Sequence, residues 1–178
     1  MIEHGIIDDF LPKDELDIIV DTFLGEKSSG VFPLFLKDGV SYTRETAPDK
    51  YTGDGIYFTH TFVTDGNFNS PFLDVLEPII LKLPNFTRLI RAELNLYPST
   101  NRRKKHGWHT DQNYMHTGCL FYLNTNNGPT EIREKDGSSS ISIKAVKNRA
   151  LFFDPSFDHR SSTCTNKDYR ATLIFNYL

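Results

Sequence analysis

After Asn85 the chain reads as strands and turns to its last residue, and that lopsided layout limits the fold more than any other feature. Runs rich in β-branched and aromatic residues cover Phe86–Tyr97, Tyr114–Asn124, Thr130–Arg133, Ser139–Val146, Arg149–Phe153 and Tyr169–Leu178. Clusters of turn-forming residues separate them at Asn126-Asn127-Gly128-Pro129, Lys135-Asp136-Gly137 and Asp154-Pro155-Ser156. Helical spacing is confined to the first half. Leu16, Ile19, Val20 and Phe23 recur at i, i+3, i+4 and i+7 behind Pro12, with Gly25 as a stop. Ser70 and Pro71 open a second stripe, Phe72, Val75, Leu76, Ile79 and Leu83, which Pro78 should bend. Between the two stripes lie a strand within Val31–Leu36, a loop over Lys37–Asp54 of the kind that serves as a lid, and a strand over Ile56–Val63. Two helices followed by seven or eight short strands predict an α+β, mainly β chain: a double-sheet jelly roll, or double-stranded β-helix, with supporting N-terminal helices.

A chain of 178 residues fits one domain, residues 1–178, and at that length about 70% of the unfolded surface can be buried without a disulfide or structural metal. The longest apolar runs, Val31–Leu36 and Cys119–Leu123, fall far short of the ~20 residues of a membrane span. The acidic N-terminus lacks the pattern of a secretory signal. Cys119 and Cys164 are not in CxxC spacing, so a reduced, cytoplasmic protein is expected. The net charge of −3 argues against a general nucleic-acid binder, so a peptide or small molecule is favoured over nucleic acid as partner. Oligomeric state is not encoded in any recognisable pattern.

Two strands carry a polar face that ordinary core strands lack. Side chains alternate across a strand, so Arg91, Glu93, Asn95 and Tyr97 share one face of their run while Ala92, Leu94 and Leu96 share the other. In the last run Arg170, Thr172, Ile174 and Asn176 oppose Ala171, Leu173, Phe175 and Tyr177. Such a face meets water in many antiparallel sheets; the alternative is a polar-lined barrel interior.

The segment Trp108-His109-Thr110-Asp111 raises a sharper question. Six His and 23 acidic residues in the chain give roughly 0.8 His-x-acid pairs by chance, so the pair alone proves nothing. His109 and Asp111 can nevertheless point the same way from a strand and bind one ion. Two imidazoles and one carboxylate form the facial triad that suits non-haem Fe(II) and leaves three positions open. Among His4, His60, His106, His116 and His159, the last is best placed, since it follows the apolar run Ala150–Phe153 and a turn. Arg170 comes eleven residues later, about one hairpin on, where its guanidinium could grip a dicarboxylate, and Thr172 could add a hydroxyl. His106 with His109 is a rival pair, weakened by Gly107 between them.

His109-Thr110-Asp111, His159 fifty residues on and Arg170-Ala171-Thr172 together resemble the Fe(II)/2-oxoglutarate-dependent dioxygenases, whose pattern is HxD, a distal His and a basic residue ten or so positions beyond. Asn95-Leu96-Tyr97 resembles the strand that helps bind 2-oxoglutarate in AlkB-like and prolyl-4-hydroxylase-like members. The likeness covers about residues 90–178 and is nearest to the small phage and marine microbial enzymes of prolyl-hydroxylase type. It implies iron on His109, Asp111 and His159, and 2-oxoglutarate held by Arg170, Thr172, Tyr97 and Asn95. It further implies dioxygen as co-reactant, ascorbate as a candidate reductant, and hydroxylation of an unidentified substrate with release of succinate and CO2. Trp108 and Tyr114, flanking the ligand pair, are candidate substrate residues or pack beneath the strand. The basic run Arg102–Lys105 is a solvated loop or a rim that steers an acidic partner. Two departures stand out. No second arginine follows Arg170, which counts against an AlkB-like nucleic-acid demethylase, and collagen-type prolyl hydroxylases carry Lys where Arg170 stands. The competing readings are a non-catalytic cupin-like binding module and a zinc hydrolase using the same three ligands, which leaves Arg170 unexplained.

Overall fold

The computed structural model describes residues 4–25, 32–41, 49, 53–112, 114–134 and 137–178. Its elements are β1 (Gly5–Ile7), α1 (Lys13–Leu24), β2 (Phe35–Asp38), β3 (Ile56–Thr64), β4 (Asn67–Phe68), a 3₁₀ turn (Leu73–Leu76) and α2 (Glu77–Ile80), followed by β5 (Leu89–Pro98), β6 (Thr117–Tyr122), β7 (Asn126–Arg133), β8 (Ser140–Ala145), β9 (Arg149–Phe153), β10 (His159–Arg160) and β11 (Tyr169–Tyr177). Eight strands form the larger sheet in the order β1-β9-β6-β11-β5-β3-β2, with β4 on β3; β10-β7-β8 form the smaller one. The pairings of described strands are antiparallel. The architecture is a jelly roll with helices on one side. Among the described residues no helix is long and apolar enough to cross a membrane.

Strand alternation decides where each core forms. Leu94, Ala92, Ala171, Leu173 and Phe175 pack outward against Leu16, Ile19 and Phe23 of α1 and Leu76 and Ile79 of the second helical region. Leu120, Tyr122, Ile132, Ile143, Leu151, Phe153 and Ile174 fill the space between the two sheets. The polar face of β5 and β11 therefore lines the interior instead of meeting water: Asn95, Arg170, Thr172 and Asn176 are all buried. Register pairs the two strands so that Arg170 faces Tyr97, Thr172 faces Asn95 and Asn176 faces Arg91.

Two expectations need correction. The stripe over Phe72–Leu83 is one apolar face, but not one helix. Ser70 Oγ accepts the Phe72 N–H at 3.1 Å, yet the chain makes a 3₁₀ turn at Leu73–Leu76 before the four residues of α2. Pro78 has no N–H and a ring that would strike the preceding turn, so it opens a new short helix at its N-terminus instead of bending a long one. The second error is Asn126-Asn127-Gly128-Pro129, which enters β7 instead of turning. Its register against β8 slips between Asn126 and Thr130, and a bulge tolerates both the flexible glycine and the donor-less proline. The Tyr114–Asn124 run begins its strand only at Thr117, and the edge strand β1, paired to β9, has too short a pattern to be read from sequence. Val31, residues 42–48 and 50–52 of the expected lid loop, and Lys135-Asp136 of one expected turn lie outside the described residues.

Candidate metal centre

His109 and His159 meet at an isolated antiparallel bridge beside the smaller sheet. Their backbones exchange hydrogen bonds, His109 N–H to His159 C=O at 3.1 Å and the reverse at 2.9 Å. The turn before β10 adds a third tie, since the Asp111 N–H donates to the Pro155 carbonyl at 3.0 Å. This lacing sets His109 Nε2 at 3.9 Å and His159 Nε2 at 3.6 Å from Asp111 Oδ1. One ligating atom from each residue lies within 4.8 Å of the others, a grouping that could hold a metal ion. Each Nδ1 contacts a backbone carbonyl, Gly107 at 3.3 Å and Phe157 at 2.9 Å. Such bonds place the ring proton on Nδ1 and leave Nε2 as a lone-pair donor facing its partners.

The carboxylate is held from behind. Asn176 Nδ2 donates to Asp111 Oδ2 at 2.9 Å and Arg91 lies 3.4 Å from Oδ1, while Arg91 is itself paired with Glu93 at 2.5 Å. Burial pushes the Asp111 carboxyl up, but His159, Arg91 and His109 outweigh it and hold the group well below the usual carboxylate range. Burial, with the neighbouring His159, lowers His109 to about 4, so its ring is neutral near pH 7 and ready to bind. Burial acts against the charged form of His159 too, but Asp111 prevails and raises it. Sequence reading missed Arg91 and Asn176 as partners of Asp111. The signal was present, because both occupy the polar faces of their strands.

From this cluster a cavity runs inward between the sheets, walled by Asn95, Tyr97, Thr130, Arg170 and Thr172. Arg170 is 1% exposed. Its Nε donates to the Gly128 carbonyl at 3.1 Å and its Nη2 to Thr130 Oγ1 at 2.9 Å, and its guanidinium faces the rings of Tyr97 and Tyr122 at 5.3 and 5.7 Å. Among the described residues no carboxylate pairs with it. A buried, unpaired cation is costly, and it marks a place for an anion. The buried Asn95 Oδ1 likewise has no hydrogen-bond partner. Gly128 makes the arrangement possible, since a Cβ there would meet Thr163 O at 2.8 Å and Arg170 Cδ at 3.1 Å.

The remaining sequence candidates lie elsewhere. Trp108 and Tyr114 do not line the cavity; Tyr114 is exposed, and Trp108 lies between two arginines. His106 points to Ser161 Oγ at 2.7 Å and its ring sits 5.3 Å from that of Tyr97, so the rival His106–His109 pair does not form. Of the basic run, Lys105 pairs with Glu131 at 2.7 Å and Arg103 donates to the Asn127 carbonyl at 3.0 Å.

Asp54 links the end of β2 to the metal segment. Its carboxylate accepts from Val40 N–H at 2.7 Å, Ser41 Oγ at 2.6 Å and Gly107 N–H at 2.9 Å. Burial pushes this carboxyl up, but the bonds from Ser41, Gly107 and Val40 win and hold it below its ordinary value. A depressed carboxyl stabilises above the unfolded pKa, and the contribution fades as pH falls through the folded one. The Val40 and Gly107 amide resonances are therefore expected to titrate together with a midpoint below about 3.9; a midpoint at or above that value, followed by NMR, would show that the tie does not form.

No protein-family model matches the sequence, and neither does any curated protein. Solved structures do match. An oxidoreductase of the 2OG-Fe(II) oxygenase family from Burkholderia pseudomallei aligns over 98% of this chain and 84% of its own, with a TM-score of 0.70 at 12% identity. The fold is that of the 2OG-Fe(II) oxygenases. A Pseudomonas putida prolyl-4-hydroxylase aligns over 99% of this chain and 93% of its own, with a TM-score of 0.62 at 12% identity. A Trichoplax adhaerens prolyl hydroxylase, solved with a hypoxia inducible factor oxygen degradation domain peptide fragment, covers 98% of this chain and 83% of its own, with a TM-score of 0.58 at 15% identity. Within this oxygenase fold, the donor set of His109, Asp111 and His159 suits Fe(II). The buried Arg170, without a carboxylate partner among the described residues, suits a dicarboxylate deeper in the same cavity.

Proposed function

We propose that the chain is an Fe(II)- and 2-oxoglutarate-dependent oxygenase that hydroxylates a peptide or small molecule, in the manner of prolyl hydroxylases. The observation that carries the reading is a pairing within one cavity: a His-Asp-His cluster near one end and the buried, unpaired Arg170 on its wall. The zinc-hydrolase reading leaves that cation unexplained.

His109, Asp111 and His159 would hold the iron, and Arg170 would grip the distal carboxylate of 2-oxoglutarate, with Thr172 and Tyr97 as hydroxyl donors and Asn95 on the same wall. When bound, iron supplies the means to activate dioxygen, which converts 2-oxoglutarate and substrate to succinate, CO2 and hydroxylated product. The chain's own residues set the geometry and exclude water. Leu120, Phe153 and Ile174 give the cavity an apolar wall, where charge-assisted bonds are stronger than in solvent. Asn176 and Arg91 fix the Asp111 carboxylate, and the two backbone carbonyls fix the histidine tautomers. A peptide substrate draws support from the peptide-bound Trichoplax adhaerens relative.

Anaerobic addition of Fe(II) and 2-oxoglutarate is expected to produce the visible metal-to-ligand charge-transfer band of the chelate. Its absence at saturating concentrations overturns the assignment. Succinate release with ascorbate as reductant, screened over peptides, small molecules and nucleic acids, then identifies the substrate class.

A further inference from the structure

Trp108 precedes one histidine of the cluster and Arg160 follows the other. Side chains alternate along extended chain, so while His109 and His159 turn toward Asp111, their neighbours meet each other. The Arg160 guanidinium lies 4.0 Å from the centre of the Trp108 ring. Arg133 lies 4.2 Å from the same ring, so the indole is held between two guanidinium groups. Both arginines are anchored in turn. Arg160 donates Nε and Nη2 to Glu131 Oε2 at 2.8 and 2.6 Å, and Arg133 Nη1 donates to Asp158 Oδ2 at 2.9 Å. Glu131 and Arg133 belong to β7, and Glu131 stands opposite Arg160 in the pairing of β10 with β7. The stack thus ties the loop carrying His109 to the strand carrying His159, and both to the smaller sheet.

Backbone bonds already lace the two histidine segments: beside the His109–His159 pair, the Thr163 N–H donates to Lys104 O at 2.9 Å, the His106 N–H to Ser161 O at 3.0 Å and the Asp111 N–H to Pro155 O at 3.0 Å. The bridges among them are isolated, outside any continuous ladder, and β10 is only two residues long. The stack adds side-chain packing directly beside the His109–His159 bridge, with the Trp108 ring centre 4.0 Å from Arg160.

We propose that the Arg133–Trp108–Arg160 stack is a positioning clamp that holds His109 and His159 at ligating distance before metal arrives. The proposal rests on the metal-site reading above. It also changes the expected role of Trp108: with a cation beside the ring on each hand, the indole serves to orient the ligands and not to stack on substrate.

The test uses Co(II) as probe, because its visible d–d absorption reports ligand geometry, alongside the melting temperature of the metal-free protein. The wild-type chain is expected to bind Co(II) with a distinct visible spectrum; if it does not, the metal-site reading itself fails. Given binding, Trp108→Ala is expected to weaken Co(II) affinity by about 10-fold to 100-fold, the range for partners that orient metal ligands, and to alter the spectrum. Trp108→Phe, which keeps an aromatic face, should recover most of the affinity, and Arg133→Met should lose several-fold with the wild-type melting temperature retained. Wild-type affinity and spectrum in both Trp108→Ala and Arg133→Met would overturn the clamp. If Trp108→Ala does not fold, Arg133→Met decides: a wild-type spectrum and affinity overturn the proposal, and a weakened, altered site supports it.

Discussion

Asp111→Ala is expected to abolish Fe(II) binding and, with it, succinate release. Asp111 is the only anionic donor in the cluster, and a dication bound by two neutral imidazoles alone loses most of its charge compensation. The side chains behind it add to the cost. Asn176 Nδ2 loses its acceptor at 2.9 Å, and Arg91 loses the nearer of its two carboxylates to the metal, although Glu93 still pairs with it at 2.5 Å. Removing one member of a buried charge pair costs about 3–5 kcal/mol of folding stability, so the metal-free variant is also expected to melt at a lower temperature than the wild type. The retained Arg91–Glu93 pair should let the protein fold. Calorimetric titration of anaerobic Fe(II) into the wild type and the variant, with circular dichroism as a folding control, checks the prediction. A folded Asp111→Ala protein that binds Fe(II) within threefold of wild type would place the metal elsewhere. His159→Ala should behave similarly for binding, and it also removes the group that most depresses the Asp111 carboxyl.

The candidate site was more legible in the sequence than the detail of the fold. Order and spacing select His109, Asp111, His159 and Arg170, because a ligand set on strands needs the same-face rule and little else. The polar faces of β5 and β11 were visible as alternation, but alternation cannot distinguish water from a barrel interior; only the outward packing of Leu94, Leu173 and Phe175 on the helices decides it. The same ambiguity hid Arg91 and Asn176, which meet Asp111 through cross-strand register, and register depends on partners distant in sequence. Asn126–Pro129 misled for a related reason. Its composition says turn, but the bulge aims the Gly128 carbonyl at Arg170, so the residues that suggest a turn instead help to hold the Arg170 side chain. Trp108 shows the reverse limit: its place beside His109 left substrate contact and packing beneath the strand both open, and its ring lies beside Arg133 and Arg160, neither of which is near it in sequence.

Arg170→Met is expected to separate the cosubstrate from the metal. Methionine keeps much of the length of the stem and removes the charge, so His109, Asp111 and His159 are left in place while the cavity wall loses the buried cation that has no carboxylate partner among the described residues. Truncating one partner of a buried, charge-assisted contact costs about 2–5 kcal/mol, hence an apparent KM for 2-oxoglutarate raised by roughly 30-fold to several thousand-fold, with Fe(II) affinity within threefold of wild type. Stability should move the other way. In the ligand-free protein Arg170 is 1% exposed with no counter-ion among the described residues, and two neutral acceptors, Gly128 O and Thr130 Oγ1, offset only part of its desolvation. Replacing a buried charge with an apolar side chain of similar length is often neutral or stabilising, so the apo melting temperature is expected to hold or rise. Arg170→Lys, which keeps the charge but lacks the planar fork, should fall between the two in 2-oxoglutarate affinity. A purely structural arginine would give the opposite pattern, a lower melting temperature with 2-oxoglutarate binding unchanged, and that result would remove the anchor on which the choice of cosubstrate depends.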